Sequence, residues 1–103
     1  MPKDILFVLD TDWADPQLGG VRRFYCKDCV TVEGLLALFP ERSAQIEVVR
    51  VPWPRPREAV IARLGEGNQN LPALAFADGG FVNDVEGVLA ALHERHGFPE
   101  RHP

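Results

Sequence analysis

One run near the start of this 103-residue chain constrains its fold more than any other feature. The segment from Ile5 to Leu9 is apolar at every position, so it lacks the alternation of apolar and polar side chains that a strand with one solvent face shows. Strands that are apolar on both faces are typical of the centre of a sheet that has helices on both sides. The run therefore predicts a layered α/β structure in which residues 5–9 form a central strand.

The remaining sequence patterns predict the elements around this strand. After a long polar connection over residues 10–25, a first helix is predicted from about Cys26 to Phe39, because apolar residues recur there at helical spacing. A second strand is predicted over residues 46–51, followed by a proline-rich connector over 52–57. The second helix has Pro56 in its first turn and ends at Gly65. A hairpin around residues 78–80 then leads to a last helix, which Asn83 or Asp84 caps and which ends at Gly97.

Together these elements predict the fold class. The order is βαβαββα, a mixed four-stranded sheet flanked by three helices in one domain over residues 1–103. A right-handed crossover joins the first two strands in parallel, and the hairpin adds antiparallel pairing. We expect the spatial order to be strand two, one, three, four, with strand three antiparallel to the rest. Helices one and three should cover one face of the sheet, and helix two the other.

Composition and charge disfavour several function classes. The formal net charge is −4 and the isoelectric point is near 5.3, which disfavours nucleic acid and anionic membrane as main partners. The longest apolar run near the N-terminus has five residues, too few for a signal-peptide core or a membrane span. We therefore expect a cytoplasmic protein. In that reducing compartment, two close cysteines are typical of catalytic, redox-sensing or metal-binding sites rather than of structural disulfides.

The two cysteines of the chain form a Cys-x-x-Cys motif, Cys26-Lys27-Asp28-Cys29. Two cysteines placed at random would have this separation only about 2% of the time. The motif opens the first helix, where unpaired N–H groups and the helix dipole stabilise a thiolate. It therefore predicts a redox-active pair, with Cys26 as the nucleophile and Cys29 as the resolving thiol one turn deeper. Lys27 favours the Cys26 thiolate, while Asp28 opposes it.

Two other interpretations of the cysteine pair remain open, namely inert thiols and metal ligands. Zinc needs more ligands than two cysteines supply. The obvious candidates are His93 and His96, but the predicted fold places them at the opposite end of the molecule from the cysteines. We therefore predict no metal site, and we expect both histidines to lie in a solvated last helical turn that the helix dipole favours.

Three segments carry a resemblance to the thioredoxin-like superfamily that covers essentially the whole chain, namely Tyr25 to Cys29, Asn70 to Leu74, and Asp78 to Asp84. The second and third look most like the glutathione-binding face of glutaredoxins and of glutathione transferase N-terminal domains. The full chain is also similar to a family of small bacterial proteins known only as a domain of unknown function, notably at Arg23 to Cys26 and Trp53 to Arg57.

The chain departs from the thioredoxin pattern in three places. In thioredoxins the motif follows the first strand after a few residues, whereas about sixteen residues intervene here. The buried acid of that strand has no clear counterpart, because Asp10 and Asp12 lie at the exposed end of the predicted strand. The dipeptide between the cysteines is Lys-Asp, where well-known reductases have Gly-Pro or Pro-Tyr.

The resemblance implies a substrate site beside Cys26. The Leu71–Pro72 bond should be cis, leaving the backbone of Leu71 free to pair with an extended thiol peptide. The alternative is a trans proline at the start of an edge strand. Asn83 and Asp84 should hold the γ-glutamyl end of glutathione, unless they only cap the last helix.

Four further residues complete the predicted substrate-binding set: Tyr25, Lys27, Arg55 and Arg57. The first two flank Cys26. The two arginines lie on a stiff proline frame and can pair with a substrate carboxylate, unless they belong to a solvated connector. Trp13 and Trp53 are either an aromatic surface around the site or ordinary core residues.

Two functions of different classes fit these observations. The first is a thiol–disulfide oxidoreductase whose partners are proteins or low-molecular-weight thiols and disulfides. It needs no resident cofactor, and glutathione is its candidate co-substrate. The alternative is a non-catalytic binding or interaction module in which the loop over residues 10–25 shields Cys26 or forms a partner surface. The reactivity of Cys26 discriminates between them, because a thiol that is no more acidic than free cysteine favours the module.

Overall fold

The apolar run near the start of the chain lies inside a four-stranded mixed sheet. The computed structural model describes residues 2–103, in which the elements are β1 (Asp4–Leu9), β2 (Trp13–Ala14), β3 (Arg23–Phe24), α1 (Lys27–Leu38), α2 (Pro40–Ser43), β4 (Ile46–Val51), α3 (Glu58–Leu64), β5 (Ala73–Ala75), β6 (Phe81–Val82) and α4 (Val85–His96). The sheet order is β4-β1-β5-β6. β1 is parallel to β4, while β5 is antiparallel to both of its neighbours. The predicted order and directions of these four strands are thus confirmed.

The two faces of β1 pack against different helices, because successive side chains of a strand point to opposite faces. Leu6 and Val8 lie in a cluster with residues of α1 and α4, and this cluster includes Cys29. Phe7 lies in a second cluster with residues of α3. The prediction that the first and last helices cover one face of the sheet, and the helix after the connector the other, is therefore confirmed for α1, α4 and α3.

The connection over residues 10–25 contains regular structure that the sequence patterns did not predict. β2 and β3 form a small antiparallel sheet in which Trp13 pairs with Phe24. An exposed ion pair of 2.7 Å joins Asp12, the residue before β2, to Arg23 in β3. Strands of two residues are too short to show periodicity, which is why the segment was predicted only as a long polar connection.

Helix bounds and number differ from the prediction at three points. α1 begins at Lys27, because Cys26 is its N-cap. The short helix α2, which begins at Pro40, brings the α-helices of the described chain to four rather than three. α3 begins at Glu58, so the expectation that Pro56 lies in its first turn is wrong. Arg57 is the N-cap of α3 instead, and its backbone N–H donates to Gln69 Oε1 at 2.9 Å. Within residues 2–103, no helix is both long and apolar enough to cross a membrane.

A buried carboxylate holds the end of the molecule that is remote from α1's first turn. Asp4, at the start of β1, accepts hydrogen bonds from Arg95 at 2.6 and 2.8 Å and from the Ala77 N–H at 2.8 Å. It also lies 2.7 Å from Nε2 of His96. The first strand therefore does carry a buried acid, at the end opposite to Asp10.

The expectation of solvated histidines is wrong for His96 but holds for His93, whose side chain is 44% exposed. The His96 side chain is largely buried against Asp4. Nδ1 of His93 lies 2.8 Å from the carbonyl oxygen of Phe98. Both rings are held by contacts with residues that are distant along the chain or that follow the helix, and a helical pattern in the sequence does not reveal such contacts.

Candidate active site

Cys26 is held at the N-terminus of α1 by the two elements on either side of it. It follows β3 by one residue, and its extended backbone makes it the N-cap of the helix. Its Sγ accepts a hydrogen bond from the Cys29 N–H at 3.3 Å. This sulfur takes the place of the oxygen that Ser, Thr or Asp supplies in an ordinary N-cap. A half-buried thiol is thus aimed at the positive end of the helix dipole.

Cys29 lies one turn further in and is only 1% exposed. Its Sγ accepts a hydrogen bond from the Leu9 N–H at 3.4 Å, which ties the helix to the end of β1. The pKa of the Cys29 thiol is raised to about 12, chiefly by burial and also by the neighbouring Cys26 and Asp28, while the hydrogen bond from Leu9 opposes this rise. The predicted difference in exposure between the two cysteines is confirmed. Both are free thiols in this structure.

A cavity of about 430 Å³ lies beside the first turn of α1. Six of the eight predicted substrate-binding residues line it: Arg55, Arg57, Leu71, Pro72, Asn83 and Asp84. Leu9 and Asp28, the immediate neighbours of the cysteine pair, line it as well. Five stretches of chain that are far apart in sequence therefore meet at one end of the sheet, next to the cysteines.

The other two predicted substrate-binding residues do not line this cavity. Tyr25 is 64% exposed, and Lys27 is exposed at the start of α1. Both flank Cys26 along the chain, but their side chains lie on the outer surface. They are available to a large partner that covers this end of the molecule rather than to a small ligand in the cavity.

Leu71 and Pro72 form the edge of the cavity that leads into β5. The Leu71–Pro72 peptide is cis, as the resemblance implies, and Arg55–Pro56 is cis as well. Pro72 is fully buried. Leu71 packs against the cluster that contains Cys29 and against which Cys26 also packs. Among residues 2–103, no hydrogen bond engages the backbone N–H or C=O of Leu71.

Asn83 and Asp84 approach the cavity from the N-terminus of α4. Asp84 is the N-cap, and its Oδ2 accepts a hydrogen bond from the Gly87 N–H at 2.9 Å. A Cβ at Gly87 would lie 2.7 Å from the other oxygen of Asp84, so the glycine leaves room for this cap. Asn83 is half-buried and makes no side-chain hydrogen bond to the described residues. The capping alternative therefore accounts for Asp84 but leaves Asn83 unexplained.

The two arginines of the connector lie in different surroundings. Arg57 is only 7% exposed. Its Nε and Nη2 donate to the Trp53 carbonyl oxygen at 3.1 and 2.7 Å, and its Nη1 donates to the Gln69 carbonyl oxygen at 2.7 Å. Burial, and then the charge of Arg55, lower the pKa of Arg57. The solvated-connector alternative is wrong for Arg57, while Arg55 is exposed at the cavity edge.

The two tryptophans connect the β2–β3 sheet to the connector. The Trp13 and Trp53 rings are stacked with centroids 6.2 Å apart and an interplanar angle of 11°. Both are partly buried and pack against the cluster that contains Cys29, as Cys26 does. The choice between core residues and a surface around the site is thus resolved in favour of packing that holds the segments beside Cys26 together.

Sequence reasoning did not assign two of the polar residues that line the cavity, Asp28 and Asn70. Asp28 belongs to the Cys-x-x-Cys motif, and its position between the two cysteines was the signal that could have placed it at the cavity. Asn70 precedes Leu71 and carried no separate signal. Within residues 2–103, no group of three or more His, Cys, Asp or Glu side chains is placed to hold a metal ion.

One family model matches this chain. Its description is "Protein of unknown function (DUF3088)", and the match covers residues 3–100. The matched range includes both cysteines, the connector and every residue that lines the cavity. No curated protein and no solved structure matches the chain. The description states no reaction, so the chemistry must be argued from the site itself.

Proposed function

Because this chain belongs to DUF3088, a family of proteins of unknown function, we propose its activity from the site alone: it is a thiol–disulfide oxidoreductase that uses Cys26 and Cys29. The observation that carries the proposal is the position of Cys26 Sγ. It lies at the N-terminus of α1, 3.3 Å from the Cys29 N–H, with a second free thiol one turn deeper. Helix N-termini favour thiolates, and the thiolate is the form that attacks disulfides.

In the first step, the Cys26 thiolate attacks one sulfur of a substrate disulfide. A new S–S bond joins Cys26 to one half of the substrate, and the other half leaves as a thiolate, so the electron pair of the broken S–S bond leaves with it. At neutral pH Cys29 stays protonated, because burial raises its pKa to about 12. Cys29 therefore does not compete with Cys26 for the substrate.

In the second step, the Cys29 sulfur attacks the Cys26 sulfur of the mixed disulfide. The Cys26–Cys29 disulfide forms, and the remaining half of the substrate leaves with the electron pair of its S–S bond and takes up the proton that Cys29 loses. The substrate has then gained two electrons from the protein and one proton from Cys29, and solvent protonates the half that left as a thiolate in the first step. A protein dithiol or a low-molecular-weight thiol such as glutathione returns the pair to the dithiol form. A reducing cytoplasm would supply such a thiol.

The proposed activity fits a thioredoxin-like architecture, which we propose for this chain. In support, the strand order is β4-β1-β5-β6, the cysteine motif opens the first long helix, and a proline directly precedes β5. The β2–β3 sheet is then an insertion between the first strand and the motif. It occupies the segment in which the chain departs from the thioredoxin pattern.

The cavity beside Cys26 is the proposed substrate site. The unpaired backbone groups of Leu71 can pair with an extended peptide next to a disulfide. Asn83 has amide groups without partners among residues 2–103, and the exposed Arg55 can meet a carboxylate. Glutathione, which carries both a peptide backbone and carboxylates, is therefore the proposed low-molecular-weight co-substrate.

Exchange kinetics with two cysteine variants test the proposal. The reduced protein is mixed with a disulfide between glutathione and a labelled peptide, and release of the label is followed. We expect turnover by the unchanged chain in the presence of excess thiol, and none by Cys26→Ser. Cys29→Ser should accumulate a mixed disulfide on Cys26 that mass spectrometry identifies. Exchange that persists in Cys26→Ser would contradict the assignment.

A specific surface favours the second candidate function, an interaction module. Three large apolar side chains on the segment that leads to Cys26 are exposed, namely Leu18 at 55%, Val21 at 83% and Tyr25 at 64%. Exposed apolar residues grouped on one segment are typical of protein-binding surfaces. If the unchanged chain shows no turnover, and Cys26 reacts with iodoacetamide no faster than an unfolded peptide thiol, the interaction module becomes the better explanation.

A further inference from the structure

Only two charged side chains are buried in the part of the chain that the structure describes, Asp4 and Arg57. Asp4 has a charge partner, because Arg95 donates two hydrogen bonds to its carboxylate. Arg57 has none, since its three hydrogen bonds go to neutral carbonyl oxygens and no carboxylate among residues 2–103 forms an ion pair with it. A buried cation without an anion is costly, so Arg57 needs an explanation beyond packing.

Arg57 lines the same cavity as Leu9 and Asp28, the neighbours of the two cysteines. The Leu9 N–H donates to Cys29 Sγ and the Cys29 N–H donates to Cys26 Sγ, so this end of the cavity adjoins the turn that holds both sulfurs. The carbonyl group that binds Arg57 belongs to Trp53, which packs against the cluster that contains Cys29 and against which Cys26 also packs. The carboxylates of Asp28 and Asp84 line the cavity as well, but neither forms an ion pair with Arg57 among residues 2–103. Cys29 and then Cys26 act to raise the pKa of Arg57, against the lowering by burial.

We propose that Arg57 is the fixed counter-charge of the Cys26 thiolate, a positioning residue that keeps the nucleophile ionised from inside the protein. This inference rests on the proposed role of Cys26 as a thiolate nucleophile. It differs from the sequence-based expectation that Lys27 has this task. Lys27 is exposed, so water and salt screen its charge, whereas a charge inside the protein is screened far less.

The hydrogen bonds of Arg57 explain why the residue is an arginine. A guanidinium has five N–H groups in a fixed fork. Three of them are bonded to the carbonyl oxygens of Trp53 and Gln69, which fixes the plane of the group. The other two N–H groups of the guanidinium have no protein partner among the described residues, so they are available to donate toward the site. A guanidinium stays protonated even when burial lowers its pKa, so the counter-charge persists at neutral pH.

A titration of the wild-type chain tests the inference without a variant at Arg57. The Nε–H resonance of Arg57 is followed by ¹H–¹⁵N NMR across the ionisation of Cys26, whose midpoint is measured separately by the pH dependence of iodoacetamide labelling. We expect the Arg57 signal to shift with the same midpoint and to lose that shift in Cys26→Ser. An Arg57 signal that does not respond near that midpoint, or that responds equally in Cys26→Ser, overturns the proposal.

Variants then separate charge from structure, with Arg22→Gln as the control, because Arg22 is exposed and lies four residues before Cys26. In Arg57→Gln, the midpoint of Cys26 alkylation should rise by about one pH unit. Arg22→Gln should shift the midpoint by less than about 0.3 pH unit, because its charge is exposed. Arg57→Lys, which keeps the charge, should recover most of the shift. Equal shifts in Arg57→Lys and Arg57→Gln, or in Arg22→Gln and Arg57→Gln, contradict the proposal.

Ionic strength separates a counter-charge inside the protein from one on its surface. At 1 M salt the Debye length is about 3 Å, so contributions from exposed charges are largely lost. The difference between the wild-type chain and Arg57→Gln should persist there, and its disappearance counts against a buried counter-charge. If Arg57→Gln does not fold, the wild-type NMR titration decides alone.

The outcomes also distinguish this inference from the proposed function. If Cys26 of the wild-type chain alkylates like the cysteine of an unfolded peptide, the oxidoreductase proposal fails, and this inference fails with it. If Cys26 is reactive but insensitive to Arg57, only this inference fails. The counter-charge must then come from the helix N-terminus or from Lys27.

Discussion

At the scale of single residues, Cys26 and Cys29 show how two thiols three residues apart differ in burial and in the ease of ionisation. Cys26 is the N-cap, half-buried, with its sulfur bonded to the N–H of Cys29. Cys29 lies in the core, where the loss of hydration disfavours its thiolate. Asp28 adds to that effect, because its negative charge lies next to the buried sulfur. Cys26 is thus suited to attack a substrate disulfide, and Cys29 to resolve the mixed disulfide in the second step.

We predict that Asp28→Asn speeds the second chemical step. Loss of the carboxylate removes one of the causes that raise the pKa of Cys29, so at neutral pH more of it is thiolate and the mixed disulfide on Cys26 resolves faster. The gain should be a factor of about two to five, since Asp28 is a smaller cause than burial. Stopped-flow release of a labelled thiol measures it. Lys27→Ala is the matched control and should stay within about twofold, and slower release in Asp28→Asn would count against this role.

At the scale of elements, the site depends on contacts that hold the β2–β3 sheet, the connector and α4 beside the first turn of α1. The Trp13–Trp53 stack joins the first two of these. Arg57 then fixes the connector, because it binds the Trp53 and Gln69 carbonyl oxygens. The β2–β3 sheet is short and the connector is irregular, so their positions depend more on side-chain packing than on backbone ladders.

Trp13→Ala should detach the β2–β3 sheet from the connector. We expect the free energy of unfolding to fall by about 2 kcal/mol, less than for a fully buried tryptophan because Trp13 is only partly buried. Urea denaturation at pH 7 measures this change. The matched control is Val21→Ser in the same segment, which is 83% exposed and should change stability by less than about 0.5 kcal/mol. Equal effects of the two variants would mean that the stack does not hold the segment.

Asn83 and Asp84 should separate stability from substrate binding. Asp84→Ala removes the N-cap of α4, so we expect a loss of about 1 kcal/mol in the free energy of unfolding. Asn83→Ala removes no hydrogen bond to the described residues, so stability should change by less than about 0.5 kcal/mol. If Asn83 binds glutathione, however, KM for a glutathione disulfide should rise in Asn83→Ala with kcat unchanged. An unchanged KM would remove Asn83 from the proposed site.

At the scale of the whole molecule, the two ends of the sheet have different tasks. The end at the first turn of α1 carries the thiols and the cavity. The opposite end is held by Asp4, which joins the start of β1 to the last turn of α4 and to Ala77 after β5. Arg95 also stacks on the Phe76 ring, with its guanidinium carbon 4.3 Å from the ring centroid. This end contains no cysteine, and its contacts stabilise the sheet.

Stability should fall in acid because of Asp4. The hydrogen bonds from Arg95 hold the pKa of Asp4 well below its usual value of 3.8, so below about pH 4 the unfolded chain binds a proton there that the folded chain does not. The stabilisation is complete at neutral pH and is lost as the pH falls. Asp4→Asn should therefore cost about 3 kcal/mol at pH 7 and should flatten the pH dependence between pH 4 and 2. Urea denaturation across this range measures both.

The matched control for Asp4 is Asp78→Asn, which removes an exposed carboxylate 3.2 Å from the same Arg95. An exposed ion pair contributes little, so stability at pH 7 should change by less than about 1 kcal/mol. If Asp78→Asn is as destabilising as Asp4→Asn, or if Asp4→Asn keeps the full acid dependence, the buried carboxylate is not the source of the effect.

The sequence alone determined the interior position of β1 and the position of the thiols, because these depend on local patterns. Residues 5–9 are apolar on both faces, which required an interior strand with helices on both sides. The Cys-x-x-Cys motif stands directly before a helical pattern, which required one thiol at the helix N-terminus and the other a turn deeper. In each case the side-chain period of a single segment reports which positions face solvent.

Only the tertiary structure decided which distant side chains meet. The bonds from Asp4 to Arg95 and His96 join residues 91 and 92 positions apart, and those from Arg57 to Gln69 join residues 12 apart. The sequence patterns placed Arg57 on a solvated connector or beside a substrate carboxylate, and they placed His96, which packs against Asp4, in solvent. A charged side chain is buried when another part of the chain supplies its hydrogen bonds, and the periodicity of its own segment carries no information about that partner.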